Sequence, residues 1–240
     1  MEPLQPFEFF GDPSPLTETD FAENAERLRC DVPAIKTVYA VESAGRGHYA
    51  DRRCIILPEP HKFSRFTAGR FDESFPELSY PNWRPGNYPP NRAEPRYGRL
   101  TAMMALDETA ALKATSWGAF QIMGFNRGLC GFDTVQDFVA FSCESQAHQL
   151  ECFVRFLIAT GLDDELREHE WRSFARAYNG PGQVDKYERW LTDAYAKAAA
   201  IDEEDPDADA FPVSEDELAE RPDIPSAHFI TPPPREEIAA

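Results

Sequence analysis

Apolar positions recur at three- and four-residue steps through most of residues 16–200, the spacing of helices that bury one face. Phe21, Ala25 and Leu28 form the first such face, with Thr17 or Thr19 placed to cap it. Asp31 caps a second helix that turns Ile35, Val38 and Val41 inward and ends at Glu42-Ser43-Ala44-Gly45, where Gly45 and Gly47 supply the stop. Leu100, Met103, Met104, Leu106, Ala110 and Leu112 predict a helix resuming at about Tyr97. Cys143, Ala147, Leu150, Val154, Leu157 and Ile158 predict a core helix, and further helices are expected at about 164–178 and 184–199. Residues 116–124 are expected as a short apolar turn or helix. No strand-like alternation extends beyond Cys54–Leu57, so the fold class is mainly α with at most a small β element.

Prolines mark what lies outside this pattern. Six of them in residues 72–96, among aromatic and polar residues, prevent regular helix or central strand and suit a long ordered loop over a cleft. Residues 1–15 are expected as an arm lying on the body, residues 16–201 as the catalytic domain, and residues 202–240, acidic and Pro-rich, as a disordered tail.

A chain of 240 residues with 42% hydrophobic residues is long enough for one sizeable core. There is no apolar run near the roughly 20 residues of a membrane helix, and the N-terminus lacks the basic and apolar parts of a signal peptide. The protein is therefore expected to be made in the cytoplasm without a cleaved leader. Five cysteines with no CxxC pair argue against a zinc knuckle and for buried thiols. Thirteen Asp and Glu against Arg221 and Arg235 place eleven of the eighteen net negative charges in residues 202–240. Such a balance disfavours nucleic acid and anionic membrane surfaces, and leaves the tail as a surface for a protein partner. The chain is expected to act as a monomer.

Glu42 sits where an apolar helix face runs out into a glycine-rich exit, so its carboxyl can face a cleft while its stem is desolvated. A proton held near neutral pH is what a glycosidic leaving oxygen requires. The bland alternative is a solvated helix-end residue. Glu59, between Pro58 and Pro60 and followed by His61, is the second carboxylate candidate, and Asp72 the third; both also fit as turn residues. Trp117, Phe120 and Gln121 offer aromatic faces and an amide for a sugar, although helix packing explains the two aromatics equally well. Gln121 is harder to dismiss, because a buried amide is costly without partners. Tyr178-Asn179-Gly180-Pro181 is locally a helix end.

Taken in order, Glu42-Ser43, Ser116-Trp-Gly-Ala-Phe-Gln121-Ile-Met and Ala177-Tyr178-Asn179-Gly180-Pro181 resemble the ES, GLMQ and AYNAG motifs of lysozyme-like peptidoglycan-cleaving enzymes. From about Leu16 to Tyr195 the chain resembles the N-acetylmuramidase family of phage endolysins and bacterial cell-wall hydrolases. Further matches are Arg65-Phe-Thr-Ala-Gly-Arg-Phe-Asp72 and Tyr97-Gly-Arg-Leu100. The resemblance implies a lysozyme-like helical fold and antibacterial cleavage of the β-1,4 bond between N-acetylmuramic acid and N-acetylglucosamine. It also implies Glu42 as general acid and no cofactor or metal. Glu59 is the expected catalytic partner. Ser43, His61, Ser116, Trp117, Gln121, Tyr178 and Asn179 are the expected substrate-binding residues. Pro58-Glu59-Pro60-His61 stands where the family has Phe-Glu-Arg-His, so a proline replaces a guanidinium. Two rival readings are a lytic transglycosylase giving 1,6-anhydro products and a non-catalytic wall-binding or scaffold protein.

Overall fold

The computed structural model describes residues 9–204 except Pro85, with the backbone alone for 202–204. Helix α1 (Glu18–Leu28) opens on a capping box, in which the Thr17 hydroxyl accepts from the Asp20 N–H and the Asp20 carboxylate accepts from the Thr17 N–H. It buries Phe21, Ala25 and Leu28. Helix α2 (Val32–Ser43) is capped by Asp31, whose carboxylate accepts from the Ala34 N–H, and has Pro33 in its first turn. Every residue from Pro33 to Ser43 is buried, so α2 is the central rod of the domain rather than an amphipathic surface helix. Even Lys36 is enclosed, and its ammonium meets the Glu18 carboxylate at 2.7 Å. The helix stops at Ala44, left-handed at φ 57°, just ahead of Gly45 at φ 73°. The stop thus falls one residue earlier than the glycines suggest, and Glu42 occupies its last turn.

After α2 the chain forms β1 (Ile56–Pro58) and α3 (Pro60–Phe66), then the Pro-rich loop, then α4 (Ala93–Lys113). Helix α4 begins at Ala93 rather than near Tyr97 and kinks at Asp107, whose φ of −161° is non-helical and whose carboxylate caps the continuation by accepting from the Ala110 N–H. Residues 115–123, expected as a turn or helix, instead form a hairpin of β2 (Thr115–Trp117) and β3 (Ile122–Met123). It completes an antiparallel sheet of order β1-β2-β3, with Ser116 opposite both Leu57 and Met123. The reason is local: Gly118 (φ 74°) and Gln121 (φ 49°) are both left-handed, which no helix accommodates.

The single core helix expected around residues 143–158 is two, α5 (Val135–Glu144) and α6 (Gln146–Thr160), divided at Ser145. Ser145 is extended at φ −163°, and its hydroxyl caps α6 by accepting from the His148 N–H. The helix expected at 164–178 is likewise α7 (Asp163–Arg167) and α8 (Trp171–Tyr178), separated at left-handed His169. Helix α9 (Val184–Glu204) packs along α2 and α8 and runs past the boundary expected at residue 201. Of the expected arm and tail, residues 1–8 and 205–240 lie outside the described residues. Residues 9–15 lie on the body: Gly11 and Asp12 donate to the Arg52 and Glu144 carbonyls, and Phe9 stacks on Trp117 at 5.8 Å.

The core joins both halves through Phe120, fully buried and stacked on Phe153 at 4.4 Å. Burying a side chain of the size of Ile35, Phe120 or Phe153 contributes about 1.5–3 kcal/mol each. One amide ties the parts that carry the candidate site. The Gln149 carbonyl oxygen accepts from the Ala119 N–H at 2.7 Å, and its NH2 donates to the Ser142 carbonyl at 2.9 Å and the Gly47 carbonyl at 3.4 Å. A Cβ on Gly118 would lie 2.5 Å from that same amide carbon. Gly118→Ala is therefore expected to cost about 2–3 kcal/mol, from left-handed strain and overpacking together. In calorimetry this is a fall in Tm of roughly 5–10 °C. An unchanged Tm would mean that the hairpin yields freely.

Candidate active site

Two carboxyls converge from different elements. Glu42 comes from the last turn of α2 and is 7% exposed; Glu59 follows β1, caps α3, and has no exposure at all. The position of Glu59 is fixed by the backbone, since its N–H donates to the Ala114 carbonyl at 2.9 Å and Pro60 follows in the first helical turn. Asn179, at the C-terminus of α8, donates its amide to Glu42 Oε1 at 2.7 Å and also hydrogen-bonds the Tyr187 hydroxyl. Tyr187 is buried on α9, and burial, followed by the charges of Glu42 and Glu59, raises its phenol well above the usual range. Burial, followed by Glu42, holds the Tyr178 phenol well above its usual range.

Burial pushes Glu59 up to about 8, against a smaller opposing pull from the Lys62 ammonium. Lys62 is pushed the other way by its own burial, while Glu59 supports its charge. His61 Nε2 stands 3.3 Å from Glu59 Oε2. The Pro-rich loop closes this side: burial, then the Glu59 and Tyr80 charges, raise the Tyr88 phenol, which also shares a hydrogen bond with Trp83. Glu59 was expected as an ionised partner of the acid. In this closed arrangement it is instead a carboxylic acid at neutral pH, because desolvation outweighs the nearby cation.

The other residues expected to bind substrate make hydrogen bonds within the fold. Ser43 accepts from the Arg46 N–H and donates to the Tyr39 carbonyl, finishing α2. Ser116 donates to Gln121 Oε1 at 2.8 Å, and Gln121 donates to the Gly118 carbonyl at 2.8 Å, so the pair braces the β2–β3 turn. Trp117 is a core residue, 1% exposed, with its indole N–H on the Leu112 carbonyl. Tyr178 reaches the surroundings of Glu42 as expected, but its hydroxyl is committed to the Phe120 carbonyl at 2.6 Å. Asn179 and His61 remain in direct contact with the two carboxyls. Tyr187 and Tyr88 were not expected in the site. Tyr187 follows Val184 and precedes Leu191 on one helix face and reads as core, and nothing local marks Tyr88 among the loop prolines.

Hollows open on both flanks. One, of about 660 Å³, is lined by Arg46, Tyr49, Asn91 and Arg92 among others. The other, of about 510 Å³, is lined in part by His61, the neighbour of Glu59. Among the described residues no helix is long and apolar enough to cross a membrane. Asn179→Ala, which leaves Glu42 without its oriented donor, is expected to lower kcat about tenfold with KM little changed. Loss confined to KM would count against a role in aligning the acid.

A mainly helical domain with a small antiparallel sheet, and a buried glutamic acid at the end of its central helix, defines the lysozyme type of glycoside hydrolase. The solved endolysin of a Burkholderia phage, AP3, superposes with a TM-score of 0.68 at 37% identity, covering 79% of this chain and 73% of that one. The chain matches the N-acetylmuramidase (Muramidase) family over residues 31–199 and belongs to it. The endolysin of Enterobacteria phage PRD1 is 37% identical over 88 residues, which are 34% of this chain and 58% of the phage protein. The chain thus spans less than two thirds of that curated relative.

Proposed function

We propose that the protein hydrolyses the β-1,4 bond between N-acetylmuramic acid and N-acetylglucosamine in cell-wall peptidoglycan, with Glu42 as general acid. The observation that carries this reading is the buried Glu42 at the end of α2, oriented by the Asn179 amide at 2.7 Å, with the buried Glu59 carboxyl acting on the same Tyr187 phenol as Glu42. Glu42 gives its proton to the glycosidic oxygen as the C1–O bond breaks and positive charge spreads over C1 and the ring oxygen. Water then adds to C1. Its proton passes to Glu59, which must first lose the proton it holds in the closed state; substrate that displaces Tyr88 and admits water lowers the cost of that ionisation. The place of action is the cell wall, after release from the cytoplasm.

One observation favours a second reading. A fully buried, protonated Glu59 is a poor base, whereas a lytic transglycosylase needs a single glutamate and lets the muramic 6-hydroxyl attack C1 in place of water. Mass spectrometry of digested peptidoglycan distinguishes the two. Hydrolysis leaves reducing N-acetylmuramic acid ends that carry the elements of water. A 1,6-anhydro product would overturn the hydrolytic reading.

A further inference from the structure

The hollow on the Glu59 side has the composition of a sugar site. Its walls include His61, Lys62, Arg65, Asp72 and, from the Pro-rich loop, Pro81 and Trp83. Trp83 is 39% exposed, an indole left partly open in the wall of the hollow. Asp72, in the same wall, is held rigidly: Oδ1 accepts from the Ser79 hydroxyl at 2.5 Å and Oδ2 from the Ser64 hydroxyl at 3.0 Å, and both serines are buried. Each carboxylate oxygen carries one hydroxyl donor and keeps a lone pair for a second. A fixed acceptor pair and a partly open indole in one hollow match a pyranose, whose C–H face stacks on a ring while its equatorial hydroxyls point sideways.

We infer that this hollow binds a sugar residue of the glycan strand next to the cleaved bond, with Trp83 stacking on the ring and Asp72 accepting its hydroxyls. The inference rests on the proposed glycan-cleaving function and specifies where the strand continues on the Glu59 side. Continuity supports it, because the hollow is lined by His61, whose Nε2 lies 3.3 Å from Glu59 Oε2. Charge supports it as well. Arg65 sets a cation in the wall of a protein of net charge −18, which suits the lactyl or peptide carboxylate of an N-acetylmuramic acid. Asp72 is then a substrate-binding residue, distinct from the catalytic pair.

The test uses the full chain carrying Glu42→Gln and a soluble, uncrosslinked tetrasaccharide of alternating N-acetylglucosamine and N-acetylmuramic acid, with affinity measured by calorimetry. Adding Trp83→Ala is expected to raise Kd about tenfold, and Trp83→Phe, which keeps an aromatic face, to restore most of the affinity. Asp72→Asn is expected to weaken binding several-fold, with circular dichroism reporting that the loop still folds. An affinity unchanged by Trp83→Ala overturns the subsite. The length of the tetrasaccharide after titration tests the other reading separately: shortening by the Glu42→Gln protein overturns the role of Glu42.

Discussion

Glu42→Gln is expected to lower kcat on soluble glycan strands by about 10³-fold, the scale on which a positioned general acid contributes. The substitution is nearly isosteric and keeps an oxygen for the Asn179 amide, which donates to Glu42 Oε1 in the native protein. Substrate affinity and Tm should therefore stay close to those of the native chain, so the loss falls on the chemical step. Reducing-end assays on defined fragments, with cell-wall turbidity alongside, measure it. Equal rates in the two proteins would remove Glu42 from the mechanism and leave the fold without an assigned acid.

The second large effect concerns stability and its dependence on pH. Glu59 titrates near 8 in the folded protein, raised by burial, and near the ordinary 4.5 once unfolded. Between those values the folded state binds the extra proton, so the free energy of unfolding falls as pH rises through the window. Below pH 4.5 both states hold the proton, and the penalty vanishes. Glu59→Gln, which mimics the protonated acid, is expected to be more stable than the native protein at pH 8 by about 1–3 kcal/mol, roughly 3–10 °C in Tm. At pH 4.5 the two should melt together. Parallel melting curves across the whole range would show that Glu59 ionises freely. The same variant should lose activity if water is the attacking group and retain it if the muramic 6-hydroxyl is.

How far the sequence carried these conclusions depends on which residues signal locally. The faces Phe21–Ala25–Leu28 and Ile35–Val38–Val41 were legible because their caps, Thr17 and Asp31, precede a clean period. The break at Ser145 was not, since buried positions continue across it from Ser142 and Cys143 to Gln146, Gln149 and Leu150, and the period hides the cap. The sheet escaped for a different reason: strands of two and three residues cannot display an alternation, and β2 is buried throughout. Within the site, Glu42 and Asn179 were found through motifs distant in sequence, and the structure joins them at 2.7 Å. The raised pKa of Glu59 could not be read from its flanking prolines, because burial is set by how the whole fold closes around the side chain. Ser116 and Gln121 carry the motif signal, but their hydrogen bonds maintain the hairpin that shapes the site.

All five cysteines are free thiols; Cys54, Cys130, Cys143 and Cys152 are buried, and partial burial pushes Cys30 up to about 12. Thiolate is the form that reacts with oxidants and disulfides, and the raised values of Cys30, Cys130 and Cys143 hold those three as thiols. With all five sulfurs free, the fold stands without a covalent cross-link, so a reducing compartment removes none of its stability.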